Sequence, residues 1–165
     1  MLHLIPAPLH RQLYRVADGL RKRWWVISRP RRTSVVVLAF DEQGRVLLVR
    51  HSYGLRVWSA PGGGMGEQED PALAAAREFR EELSCELSNL TLLEARELDI
   101  SGSRDTVHLF AARLNGTPRP DMREIVEVGL FDPAHLPADC ARLVPSHVEL
   151  AVTALKSGAL KSEQR

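Results

Sequence analysis

A chain of 165 residues is sized for one domain with a real core, and its 44% hydrophobic and 26% charged residues are ordinary for a globular protein. The longest apolar run, VVVLAF at 35–40, is too short to span a membrane; the N-terminus lacks a leader's charged-then-apolar order, and Cys85 and Cys140 form no CxxC pair, so a reducing cytoplasmic compartment is expected. The formal charge of +1 is uneven: residues 1–33 carry about +7 and the rest about −6.

Residues 8–27 place Leu9, Leu13, Val16, Ala17, Leu20, Trp24 and Ile27 at helical spacing, with Arg11, Arg15, Arg21, Lys22 and Arg23 between them. The pattern predicts an amphipathic basic helix in an N-terminal arm, 1–33, ended where Pro30 interrupts SRPRR. Its stripe could pack on the body or on a second subunit, giving a homodimer, or dock on an anionic membrane surface or RNA.

At Ser34 the period changes. SVVVLAF and RVLLVRH, joined by DEQG, predict a β-hairpin, and VWSA then leads into the glycine cluster PGGGMG. Asp70 and Pro71 suit the N-cap and first position of a helix through ALAAAREFREEL, with an apolar stripe at Ala72, Ala75 or Ala76, Phe79 and Leu83. Strand-like runs follow at LTLLEARELDI, DTVHLFAARL and EIVEVGLF, and SHVELAVTALKS predicts a last helix. This irregular alternation predicts an α/β domain over 34–165, a mixed sheet with helices on both faces.

Glu78, Glu81 and Glu82 sit at i, i+3 and i+4 of the predicted helix, where like charges share a face and repel. A hard divalent cation such as Mg²⁺ offsets that repulsion, because it is bound through carboxylates, waters and substrate phosphates. The glycines upstream allow close backbone approach and offer a carbonyl as a further ligand. The plain alternative is a solvated acidic face with Arg77 and Arg80 in surface salt bridges.

The wider spacing bears on that choice. Read as G-x5-E-x7-R-E-U-x-E-E, the chain supplies Gly63, Glu69, Arg77, Glu78, Phe79, Glu81 and Glu82 in order. This resembles the signature of the Nudix hydrolases, and the preceding VWSAPGGG is similar to that family's lead-in. The resemblance implies an α/β/α sandwich that cleaves nucleoside diphosphates linked to another moiety, using Mg²⁺ with Mn²⁺ as a substitute. It implies Glu78 and Glu82 as leading metal ligands, Glu81 joining directly or through water, and the Gly62 carbonyl as a backbone ligand. Arg77 is expected to pair with Glu69; eight residues apart, the two cannot share a straight helix face, so Glu69 should lie in a loop folded back on the helix. The general base is expected to be a motif glutamate, Glu81 or Glu82, or else Glu124 in MREIVEVGLF, where Glu124 would serve as base or extra ligand and Glu127 would support the strand. The chain departs from the pattern at Ser84, where the family has glycine, so either a strained Ser84 or a helix extended to about residues 88–89 is expected. Cys85 is expected to be a small buried residue.

Secondary marks of several Nudix groups are missing: no tyrosine near Ser101 and Gly102, Ile100 where one ADP-ribose group has proline, and no NADH- or CoA-type element. A nucleotide-type small molecule is therefore the expected partner, without a finer choice. Arg50, His51, Tyr53 and Arg56, just before the glycine loop, and His108 are candidates to meet it, whereas Trp58 is expected to pack beside the loop. Removal of pyrophosphate from 5′-RNA, or a non-catalytic binding module, are the alternatives.

Overall fold

The computed structural model describes residues 31–66, 68–100 and 103–157. The helix expected over 8–27 lies outside the described residues, as does almost all of the arm. Strand β1 (Arg31–Phe40) and strand β2 (Val46–His51) are joined by the turn at Asp41, whose carbonyl accepts the Gly44 N–H and whose carboxylate accepts from Gln43 and Arg45. Then come β3 (Gly62–Gly64), helix α1 (Pro71–Leu83), β4 (Glu86–Ile100), β5 (Ser103–Asn115), β6 (Ile125–Phe131) and helix α2 (Val144–Lys156).

The strands form one mixed sheet in the order β4-β5-β1-β2-β6. β1 runs parallel to β5 and antiparallel to β2. β3 pairs antiparallel with the first half of β1, through Ser34, Val35 and Val36. Two boundaries differ most from the expectation. β1 begins at Arg31, before the apolar run, because its pairing with β5 already starts there. β4 begins at Glu86 because it pairs with Asn115 directly after the helix, and register shifts between Ser88 and Thr91 and between Leu92 and Glu94 break the alternation that would have marked it.

Alternation sends Val35, Val37, Ala39, Leu47, Val49, Phe110 and Ala112 to one face, where they pack on Ala74, Ala75, Phe79 and Leu83 of α1. Leu38, Phe40, Val46, Leu48, Leu109 and Ala111 go to the other, against Val144, Val148 and Ala151 of α2. Full burial of Phe79 or Leu83 contributes about 1.5–3 kcal/mol each. The layers are thus the expected α/β/α sandwich. Among the described residues no helix is long and apolar enough to cross a membrane.

Helix α1 starts as predicted: Asp70 accepts the N–H groups of Ala72 and Leu73, and Pro71 follows it. At its end Ser84 is left-handed (φ 49°, ψ 36°), the strained alternative, which costs a non-glycine residue about 1–2 kcal/mol. The last carbonyls are taken by a later loop, since Arg119 N–H donates to Leu83 O (2.6 Å) and Asp121 N–H to Glu82 O (2.9 Å). Cys85 is buried, as expected.

Candidate active site

Two glycines of the loop, Gly62 and Gly63, leave no room for a side chain. Gly62 has φ 150°, and a Cβ there would run into the Val35 carbonyl; a Cβ on Gly63 would run into the Glu78 carboxylate. The loop therefore lies flush between β1 and α1, and the Gly62 N–H donates to Glu82 Oε2 at 3.3 Å.

Arg77 braces this loop. Its Nε donates to Glu69 Oε1 (2.8 Å) and its Nη2 to Glu69 Oε2 (3.0 Å) and to the Gly64 carbonyl (3.2 Å). Its Nη1 donates to Glu78 Oε1 at 2.7 Å. The Gly66 N–H adds a bond to Glu69 Oε2 at 3.0 Å, so Glu69 sits in a folded-back loop as its spacing from Arg77 required. The Arg77 hydrogen bonds, then the Gly66 bond, pull the Glu69 carboxyl down to about 2, and Glu69 and Glu78 in turn hold Arg77 protonated. Arg80 stays outside this brace and pairs with Glu86 through two bonds of 2.6 and 3.1 Å.

The carboxylates differ in depth. Glu82 is only 6% exposed; burial, then the charges of Glu124 and Glu78, push its carboxyl up to about 8 against the lowering effect of the Gly62 N–H. Glu78 is raised too, chiefly by burial and also by Glu81 and Glu124, although Arg77 opposes this. Glu81 lies at the rim with its side chain 62% exposed, 3.6 Å from Arg77 Nη1. Tyr53 Oη donates to Glu124 Oε2 at 3.4 Å.

This donor set suits a hard cation. Its atoms are carboxylate oxygens that raise one another's pKa, and Glu82 has no cationic partner among the described residues. Among those residues no three His, Cys, Asp or Glu side chains form a ready-made cage. Mg²⁺ does not require one, because it is usually held by one or two carboxylates and completed by waters and substrate phosphates.

Glu124 reaches the glutamates of α1 on a tightly held segment. The Asp121 carboxylate accepts the N–H groups of Arg123, Glu124 and Ile125, while Ser52 donates its N–H to the Glu124 carbonyl (2.7 Å) and its hydroxyl to the Arg123 carbonyl (2.6 Å). Neither Ser52 nor Asp121 stood out in the sequence. The usable signal was an Asp just before a strand, a residue suited to capping following N–H groups.

The fold thus gathers Gly62, Gly63, Glu69, Arg77, Glu78, Glu82, Glu124 and Tyr53, with Glu81 at the rim. His51 stacks at a tilt against Tyr53, ring centroids 5.3 Å apart. His108 pairs with Val35, which pairs with Gly63, so the three form one row on the α1 side; among the described residues its buried Nδ1 has no hydrogen-bond partner. Arg56 is exposed in the loop after β2. Arg50 is not brought to this group: it lies over the Trp58 ring at 4.5 Å and bonds Asp139 at 2.5 Å, and Trp58 packs edge-on to Phe131.

A mixed sheet between two helices, with a braced glycine loop delivering carboxylates to one face, defines a Nudix-type protein. The family model described as NUDIX domain matches residues 30–151, and the chain belongs to that family. An ADP-ribose pyrophosphatase of Mycobacterium tuberculosis is 33% identical over 93 residues, a stretch that makes up 53% of this chain and 45% of that protein, so the match spans less than half of the relative's length. The MutT NUDIX hydrolase of Burkholderia pseudomallei shares the fold with a TM-score of 0.66 at 24% identity, over 73% of this chain and 98% of that one. The NUDIX domain of Shewanella oneidensis NrtR, solved with ADP ribose, superposes with a TM-score of 0.66 at 18% identity, over 76% and 89% of the two chains.

Proposed function

We propose that the chain hydrolyses the diphosphate link of a nucleoside diphosphate derivative, with compounds of the ADP-ribose class as the first substrates to test. The observation that carries this reading is the buried Glu82, raised by Glu124 and Glu78 and lacking a cationic partner among the described residues, beside a glycine loop that Arg77 braces. The names of the Mycobacterium relative and the Shewanella complex support the choice of substrate class.

In this reading Glu78 and Glu82 would hold the cation, with Glu81 at the rim and the Gly62 carbonyl available as further oxygens. Bound Mg²⁺ would neutralise these carboxylates and the substrate's diphosphate and favour ionisation of an attacking water. Glu124 takes the water's proton at its carboxylate, which Tyr53 orients. The water oxygen bonds to phosphorus as the P–O–P link breaks, leaving a nucleoside monophosphate and a phosphorylated partner. Arg77 and Glu69 keep the glycine loop and Glu78 in register, and His51, Tyr53, Arg56 and His108 line the approach for the rest of the substrate.

The test is a panel of ADP-ribose, a UDP-sugar, a dinucleoside tetraphosphate and 5′-triphosphorylated RNA, each with Mg²⁺ or Mn²⁺, scored by released mononucleotide or phosphate. Metal-dependent turnover, highest with ADP-ribose, is expected. No turnover across the panel would overturn the hydrolytic reading in favour of a binding module.

A further inference from the structure

Glu82 and Glu124 are 42 positions apart in the sequence, yet one residue joins their backbones. The Asp121 N–H donates to the Glu82 carbonyl at 2.9 Å. Its Oδ1 accepts the N–H groups of Arg123 (3.0 Å), Glu124 (3.1 Å) and Ile125 (2.9 Å), and its Oδ2 takes a second bond from the Glu124 N–H at 3.2 Å. Between Asp121 and Glu124, Met122 is left-handed at φ 61°, a conformation non-glycine residues rarely adopt, so the turn needs external bonds to persist. Ser52 holds the same turn from the β2 side through the carbonyls of Arg123 and Glu124.

We propose that Asp121 is a positioning residue that sets the spacing between the Glu82 and Glu124 carboxylates by linking the last turn of α1 to the first residue of β6. The inference rests on the hydrolysis proposed above. It assigns Asp121 no contact with substrate or reacting atoms; it acts through Glu124, which would add an oxygen to the cation held by Glu82 as well as accept the water's proton, and so is useful only at a fixed distance from Glu82. Residues that orient ligands in this indirect way typically change metal affinity or activity by about 10–100-fold when removed.

The experiment compares wild type, Asp121→Ala, Asp121→Asn and Ser52→Ala in kcat and KM for ADP-ribose, in the Mg²⁺ concentration giving half-maximal rate, and in the rise of Tm caused by Mn²⁺ alone. Asp121→Ala should lower kcat and raise the half-saturating Mg²⁺ by about 10-fold each, with KM within about threefold and a smaller Mn²⁺ shift. Asp121→Asn keeps Oδ1 as an acceptor while removing the charge, and should stay within about threefold of wild type. Ser52→Ala should follow the pattern of Asp121→Ala at reduced size, which keeps the test decisive if Asp121→Ala does not fold. An Asn variant as impaired as Ala would overturn the proposal, as would variants that lose only Tm and keep the metal requirement of wild type. A wild type inactive on every compound would refute the hydrolysis instead, and the Mn²⁺ shifts would still decide the role of Asp121.

Discussion

On the α2 face of the sheet, Arg50 stacks over Trp58 and is neutralised by Asp139 and, at 3.4 Å, by Glu127. The Trp58 and Phe131 rings close over Gly129, where a Cβ would collide with Phe131. On the α1 face, Glu82 is as deeply buried as a core residue but gains only one long N–H bond, from Gly62, and faces the charges of Glu124 and Glu78. The first face follows the ordinary rule that a charge leaving water takes a partner. The second breaks that rule at Glu82, beside an Arg77 that donates to Glu69, Glu78 and the Gly64 carbonyl. On the proposed reading, the face that carries this unpaired buried carboxylate is the one that meets substrate.

The largest effect is expected from Glu82→Gln. It keeps the shape and removes the charge, so metal-dependent turnover should fall at least about 100-fold, the loss of roughly 3 kcal/mol of metal-assisted stabilisation, while circular dichroism stays native. Undiminished turnover would remove α1 from the chemistry. Next, Gly63→Ala should displace Glu78, because its Cβ has nowhere else to go. Because the displaced group is the end of a flexible side chain, stability by denaturant titration should fall by about 1 kcal/mol or less, while the Mg²⁺ concentration giving half-maximal rate should rise. The smallest effect belongs to the opposite face. Arg50→Met should cost about 1 kcal/mol or less in stability, from the stacking and half-exposed ion pairs, and change KM less than about threefold. A large rise in KM in that variant would mean that substrate reaches the α2 face, which the contrast forbids.

Much of this was legible in the sequence because G-x5-E-x7-R-E-U-x-E-E is a spacing rule. Glu69 and Arg77 had to meet across a folded loop, Asp70 and Pro71 had to open the helix, and the three glutamates needed a cation or a solvent face. The helix divides those glutamates by depth, which spacing alone could not do: Glu78 and Glu82 point inward and Glu81 outward, since only the i, i+4 pair shares the angle toward the sheet. Arg50 was misleading as a candidate because period-two alternation assigns a strand residue to a face only once the sheet is known. Asp121 and Ser52 were illegible for a different reason. Their partners are backbone groups, which every sequence has, so nothing in residue type announces the contact.

The sharpest test is the thermal stability of metal-free protein from pH 5 to pH 8, with and without Mg²⁺. Glu82 has a folded pKa raised from 4.5 to about 8, so the native state holds its proton where the unfolded state has lost it. Stability from this group is therefore greatest below about 4.5 and declines as pH rises through the window up to about 8. Mg²⁺ binds the ionised form, so its stabilisation should be small at pH 5 and grow toward pH 8, and Glu82→Gln should abolish both the decline attributable to this group and the growth. A metal-free Tm that does not fall across this window, with a Mg²⁺ shift equal at both ends and unchanged in Glu82→Gln, would contradict the claim that the buried carboxylates are held ready for a cation.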